Sequence, residues 1–262
     1  MASYDLRRIL AGWEYEPGQI TVRKISGDDG AVKIQMRLDL GILQMEASGR
    51  PDGRRPRGEE SLLEYHLKRL QLHEQRNGTP LGFELTSDEC QTLREESSQY
   101  YHRYLAEFVL EDFAGVERDT ARNLKVLDLM GKFAVEESDR LSLEQFRPYL
   151  IMMNTRAQVH MALRQGRFKT AMARVEAGLS RIQEIFSEYS DEESFEDASE
   201  VMILMALRKE IRARMPADPV EKLEAELTKA VDDERYEDAA VLRERIEAMR
   251  AKTTSGARRK RR

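Results

Sequence analysis

The chain is short of the residue types that most identifiable chemistry requires. Its one cysteine, Cys90, excludes an internal disulfide and leaves no CxxC pair for zinc or redox work. Its four histidines are equally uninformative: none follows a glutamate at the three-residue spacing of a carboxylate-bridged di-metal bundle. There is no GxxxxGKS or GxxxxGKT phosphate loop, no GxGxxG turn, no HExxH helix and no GxSxG elbow. Acidic residues are plentiful but dispersed over what read as helix surfaces, so no pair of carboxylates stands out as acid and base. These absences point to a non-enzyme with no metal and no cofactor. Aromatic residues are 7% of the chain against 35% charged, which favours solvated helical surfaces over a compact enzyme core. Apolar runs are short as well. None approaches the ~20 residues of a membrane helix, and the first residues, MASYDLRRILAGWEYEPG, lack the apolar stretch of a signal peptide. The expectation is a cytoplasmic protein with no membrane partner.

What is present is length enough for one large domain or two small ones, 262 residues, and a segregated charge. The net charge is −5, yet the last five residues, Arg258, Arg259, Lys260, Arg261 and Arg262, are all basic, leaving −10 on the rest. Residues 252–262 hold no apolar anchor and read as a disordered basic tail. The tail serves either solubility or weak, salt-sensitive nucleic-acid binding.

The first 58 residues read as a small antiparallel β module. Residues 19–26 predict a strand and Gly27 to Gly30 a turn. Val32, Ile34, Met36, Leu38 and Leu40 then alternate with Lys33, Gln35, Arg37 and Asp39, the pattern of a sheet with one dry face and one wet one. Leu43 and Met45 suggest a third strand. A hairpin alone is unstable, so a third strand or a helix must cover the apolar face, with Trp13 as part of that cover. The loop SGRPDGRRPRG crowds Arg50, Arg54, Arg55 and Arg57 into eight residues. Guanidinium forks match phosphate or carboxylate oxygens, so this loop is a candidate for nucleic acid, a phosphorylated ligand or an acidic partner; alternatively it is a solvated loop offsetting the acidic body.

Residues 59–215 read as a helical body. One helix carries Leu62, Leu63, His66, Leu70 and His73 and stops at Asn77-Gly78. Thr86 or Ser87 caps a second that runs to Phe113, and a third spans about 117–137. Ser142 with Gln145 resembles a capping box before a helix holding Pro148 in its first turns. Gly166, Phe168, Ala171, Val175, Gly178 and Leu179 resemble the second half of a tetratricopeptide repeat. Thr155, Gln158 and Val159 depart from that pattern in the preceding helix, so the implied architecture is a repeat-like helical layer and not a regular solenoid. An acidic stretch, 189–200, precedes a helix from Val201 to Met215. The overall class is α+β, mostly α.

The most informative stretch is 216–251. Asp218 is a good N-cap, Pro219 suits the first helical position, and Glu221 completes a capping box. Val220, Leu223, Leu227 and Ala230 form one apolar stripe; after the polar run 232–235, Tyr236, Ala239, Leu242, Ile246 and Met249 form another. Two short helices folded into a hairpin follow. This pattern resembles the UVR motif shared by the excision-repair subunits UvrB and UvrC, by the activator of a bacterial protein-arginine kinase and by some Clp-family ATPases. The run IQMRLDLGILQMEASGRPDG is likewise similar to uncharacterised bacterial proteins carrying that motif. In those families the hairpin is a docking element, so the resemblance implies that its seam packs on a partner protein or on a second copy. Packing on the chain's own helices is the alternative. Two function classes stand open: a non-enzymatic adaptor working through the hairpin, and a nucleic-acid-associated accessory factor of nucleotide excision repair using the arginine loop and the tail. A regulator like the kinase activator fits less well, for want of zinc-type cysteine pairs.

Overall fold

The computed structural model describes residues 5–189, 193–216 and 219–259. They fall into two compact units, Met1–Ile211 and Arg212–Arg262. The fold is mostly helical with one small antiparallel sheet.

A single turn of helix, α1 (Arg7–Leu10), leads into strands β1 (Val22–Ser26), β2 (Val32–Leu38) and β3 (Gly41–Glu46), ordered β1-β2-β3. The register places Ile34 opposite Lys24 and Met45, and Met36 opposite Val22 and Leu43. Ile34, Met36 and Met45 pack with Ala106 of the helix α3 (Ser87–Val109), so the sheet gains both a third strand and a helical cover. The expected dry face is narrower than its alternation. Val32 and Leu38 are largely exposed and Leu40, 89% exposed, sits in the β2–β3 turn, because α3 reaches only the middle of the central strand. The opposite face is not wet either. Lys33 is buried between Asp29 and Glu46, and Gln35 is held by Arg23 (2.8 Å) and Gln44 (2.8 Å). Trp13 lies 4.0 Å from the Arg23 guanidinium, on this polar face and not on the apolar one. An indole over a cation gains from the ring quadrupole what an apolar contact would have supplied.

The helical body continues with α2 (Leu62–Asn77), α3, α4 (Phe113–Phe133), α5 (Glu137–Leu141), α6 (Arg147–Arg164), α7 (Phe168–Tyr189), α8 (Glu193–Asp197) and α9 (Ser199–Arg214). Ser61 caps α2, and Gly78, at φ 71°, ends it. Thr86 and Glu89 form the full capping box of α3. The break after α3 comes earlier than the pattern suggests. Glu111 adopts φ 56°, its N–H donates to Phe108 O (3.1 Å) and the Asp112 N–H to Glu107 O (2.8 Å), a Schellman closure built without glycine. The Ser142 capping box does not form: Ser142 Oγ donates to Asp139 O (2.8 Å), and a 3-10 turn, Glu144–Phe146, leads into α6. The main core runs through α4, α6, α7 and α9, with Val116, Ile151, Ala157, Val175, Ile182 and Leu204 among its fully enclosed members. At the α6–α7 crossing Gly178 lies against Thr155, where a Cβ would collide with the threonine side chain. A second core joins Leu63, Leu85, Cys90, Leu93 and Met130.

Several charges that read as solvated helix surface are in fact enclosed. Arg103 and Asp119, each 1% exposed, form a two-pronged pair of 2.6 and 2.8 Å, and Arg103 also donates to Glu46 O and Gly49 O. This one guanidinium therefore ties the sheet to α3 and α4. Arg118 bonds both Asp119 and Glu107, and Arg122 pairs with Glu96, which also accepts from the Leu62 N–H at the start of α2. Removing one member of the Arg103–Asp119 or Arg122–Glu96 pair leaves its partner charged in a low-dielectric setting, a loss of about 3–5 kcal/mol.

Candidate functional site

The second unit contains α10 (Pro219–Asp232) and α11 (Tyr236–Arg259), antiparallel and joined by residues 233–235. The joint repeats the device seen after α3. Glu234 adopts φ 57°, its N–H donates to Val231 O (3.0 Å), and the Arg235 N–H donates to Ala230 O (2.8 Å). Arg235 is flanked by Asp233 (3.1 Å) and Asp238 (2.9 Å), both exposed pairs of small energetic weight. On either side of this turn sit Ala230 and Ala239, both buried, whose small side chains let the two helices approach at the tight end. Ile246 is buried two turns further along. Leu223, Leu227 and Leu242 are only half-buried.

Tyr236 does not join this seam. It opens α11, and at 68% exposure its ring stands in solvent, because side chains on a helix lean toward its N-terminus and carry a first-turn residue past the helix end. Val231 and Val241 are exposed as well. The Asp218 cap, the side chains of Val220, Glu221, Met249, Arg258 and Arg259, and the residues Lys260, Arg261 and Arg262 lie outside the described residues.

The arginine loop divides into two roles. Pro51 is buried, its carbonyl accepts from the Glu46 N–H (2.8 Å), and Gly53 closes a turn on Arg50 O (2.9 Å), so the loop is pinned to the end of β3. Arg50, with a side chain 12% exposed, is spent inside the protein: its Nε lies 3.0 Å from Glu96 and its Nη1 3.3 Å from Asp52. That corrects the reading of four available guanidinium groups. Arg54, Arg55 and Arg57 are exposed, Arg57 at φ 51° and 5.3 Å from the Tyr65 ring.

Two of the histidines pack inside the first unit. Burial lowers the His66 pKa to about 4, and Arg69 lies 2.9 Å from its Nδ1; His160 stacks on Phe113 at 4.5 Å. No cluster of three metal-ligating side chains occurs among the described residues. Burial pushes the Cys90 thiol up to about 11. Sequence reasoning missed Glu96, Glu107 and Asp119 as buried acids. The signal that was there is the spacing of Arg118, Arg122 and Lys125 along one face of α4 with Arg103 on α3, which predicts an electrostatic seam once the two helices pair.

Residues 218–252 match the family described as the UvrB/uvrC motif. The chain carries a UVR motif. The match covers α10, the three-residue joint and α11 as far as residue 252, the part that has the two apolar stripes. The UVR motif is an interaction motif of nucleotide-excision-repair proteins. No curated protein and no solved structure matches the chain significantly. Among the described residues no helix is long and apolar enough to cross a membrane.

Proposed function

We propose that the chain is a non-enzymatic adaptor whose UVR hairpin docks on a partner protein or on a second copy of itself. One observation carries this reading: the two helices bury Ala230, Ala239 and Ile246, yet leave Leu223, Leu227 and Leu242 half-exposed on the same stripes. A two-helix unit of this size is marginal in water, and a leucine seam it cannot close by itself gains most from a foreign helix or its own duplicate. Tyr236, already exposed at the tip, adds an aromatic of the kind enriched at binding hot spots.

Light scattering tests it, on the full chain, on a chain ending at Met215, and on the full chain carrying Leu242→Asp with Ile246→Asp. A dimer that becomes a folded monomer in both altered chains identifies self-association. A monomer throughout, with unchanged unfolding of the first unit, identifies a foreign partner. Loss of folding of the whole chain in both would place the hairpin in the core and end the adaptor reading.

The three exposed arginines Arg54, Arg55 and Arg57 favour a second reading, an accessory role in excision repair with contact to nucleic-acid phosphates. Three such contacts contribute about −3 to the slope of log affinity against log salt. Replacing all three with alanine in the full chain should remove that much of the slope; an unchanged slope on duplex or single-stranded DNA would dismiss the loop as a phosphate site.

A further inference from the structure

In the first unit a pocket of about 450 Å³ opens between α3, α4 and the start of α6. Its walls are mainly apolar and aromatic: Leu127 and Leu150 are buried, Tyr149 is half-buried, and Tyr101 and Phe146 are exposed. Tyr104 is 2% exposed and lines the same pocket, its ring set edge-on to Tyr101 at 5.5 Å and 88°. The Tyr104 hydroxyl makes no hydrogen bond to the described residues, and since it is not one of the enclosed polar atoms left without a partner, it opens on the pocket. A phenol that opens on a pocket and has no protein partner is satisfied by water there, and a ligand with a polar atom can take that water's place. Burial, with the phenols of Tyr149 and Tyr101 beside it, pushes the Tyr104 pKa upward, so this hydroxyl stays protonated and can donate.

The charge of an occupant follows from the rest of the lining. Arg94 is the pocket's one cation, and its guanidinium is already held by Asp139 (2.6 Å), Ser142 (3.3 Å) and Gln91 (2.8 and 3.2 Å). No carboxylate lines the pocket. Asn123 is spent on Ser97 O (3.0 Å) and on Arg122 (3.0 Å). The groups left to meet a ligand are therefore phenol hydroxyls, the Ser98 hydroxyl and aromatic faces. A cation finds no counter-ion there, and an anion finds only an arginine that is already paired. The volume lies in the range of small-molecule sites.

We propose that this pocket binds a small, neutral, aromatic molecule bearing a hydrogen-bonding group. Its ring packs among Tyr101, Phe146 and Tyr149 and its polar atom meets the Tyr104 hydroxyl.

Calorimetric titration of the full chain with p-cresol, and with toluene, benzoate and benzylamine as comparisons, tests the assignment. The expected result is saturable binding of p-cresol at one site per chain, with benzoate and benzylamine at least tenfold weaker. Tyr104→Phe should weaken p-cresol about 3- to 10-fold, the worth of one hydrogen bond, while leaving toluene unchanged. Ser98 is exposed on α3 at the pocket lining, so Ser98→Trp should block p-cresol without altering the unfolding curve. The proposal is overturned by absence of saturation below about 10 mM, by charged probes binding as well as p-cresol, or by p-cresol binding that survives Ser98→Trp.

Discussion

Glu107 offers the sharpest test of the enclosed charge network. Its carboxylate, 1% exposed, sits over Gly115, where any Cβ would collide with it, and accepts from Arg118 Nη2 at 2.8 Å. Burial, and then the charge of Asp119, push its pKa from the ordinary 4.5 up to about 7 against the pull of Arg118 and Arg103. An acid whose folded pKa is raised contributes its stability below the unfolded pKa and loses it as pH climbs through the folded one. At about 1.4 kcal/mol per pKa unit, ionising Glu107 costs the first unit about 3 kcal/mol between pH 4.5 and 8. Glu107→Gln keeps the shape and an acceptor for Arg118 but cannot ionise. Urea unfolding followed by Trp13 fluorescence and by far-ultraviolet circular dichroism should therefore show the variant gaining about 3 kcal/mol on the parent as pH rises from 4.5 to 8. A stability difference that is flat with pH, or that moves against the variant, would refute the argument that desolvation outweighs the Arg118 pair.

Three shorter predictions accompany it. Gly178→Ala should cost about 1–3 kcal/mol despite alanine's better helix propensity, because the new methyl strikes Thr155; adding Thr155→Ala should recover most of the loss, and a double-mutant cycle in urea with no coupling would remove the close crossing. Cys90, fully enclosed with its thiol pushed up to about 11, should react with Ellman's reagent at pH 8 only as fast as the first unit opens, and rapid labelling of the native chain would contradict its burial. Glu234→Gly should leave the hairpin intact and relieve about 1 kcal/mol of left-handed backbone strain, read as helicity retained to higher temperature; loss of helicity would mean that the Schellman joint depends on the glutamate side chain.

The hairpin was legible because everything that defines it is local. A stripe at helical spacing, a polar interruption and a second stripe specify two helices and a joint within about thirty residues, and nothing distant is needed to form them. The β2 strand, a helix cap at Thr86 or Ser87 and the Gly78 stop were legible for the same reason. Ends closed by glutamate were not: Glu111 and Glu234 both take the left-handed position that glycine usually marks, and no propensity announces it.

What only the tertiary structure decided is where the charges and the phenols go. Arg50 and Arg54 sit in one loop and look alike in sequence, yet one forms an ion pair with a buried glutamate and the other faces solvent, because only the first comes within reach of Glu96. Arg103, Glu107 and Asp119 read as a solvated helix surface until α3 pairs with α4 and the sheet closes over both. Tyr101, Tyr104 and Tyr149 become one cluster only when α3 and α6 are brought together around α4. Periodicity assigns a residue to a face; it does not say which element will cover that face, and for long polar side chains that covering determines whether they are surface, structure or site.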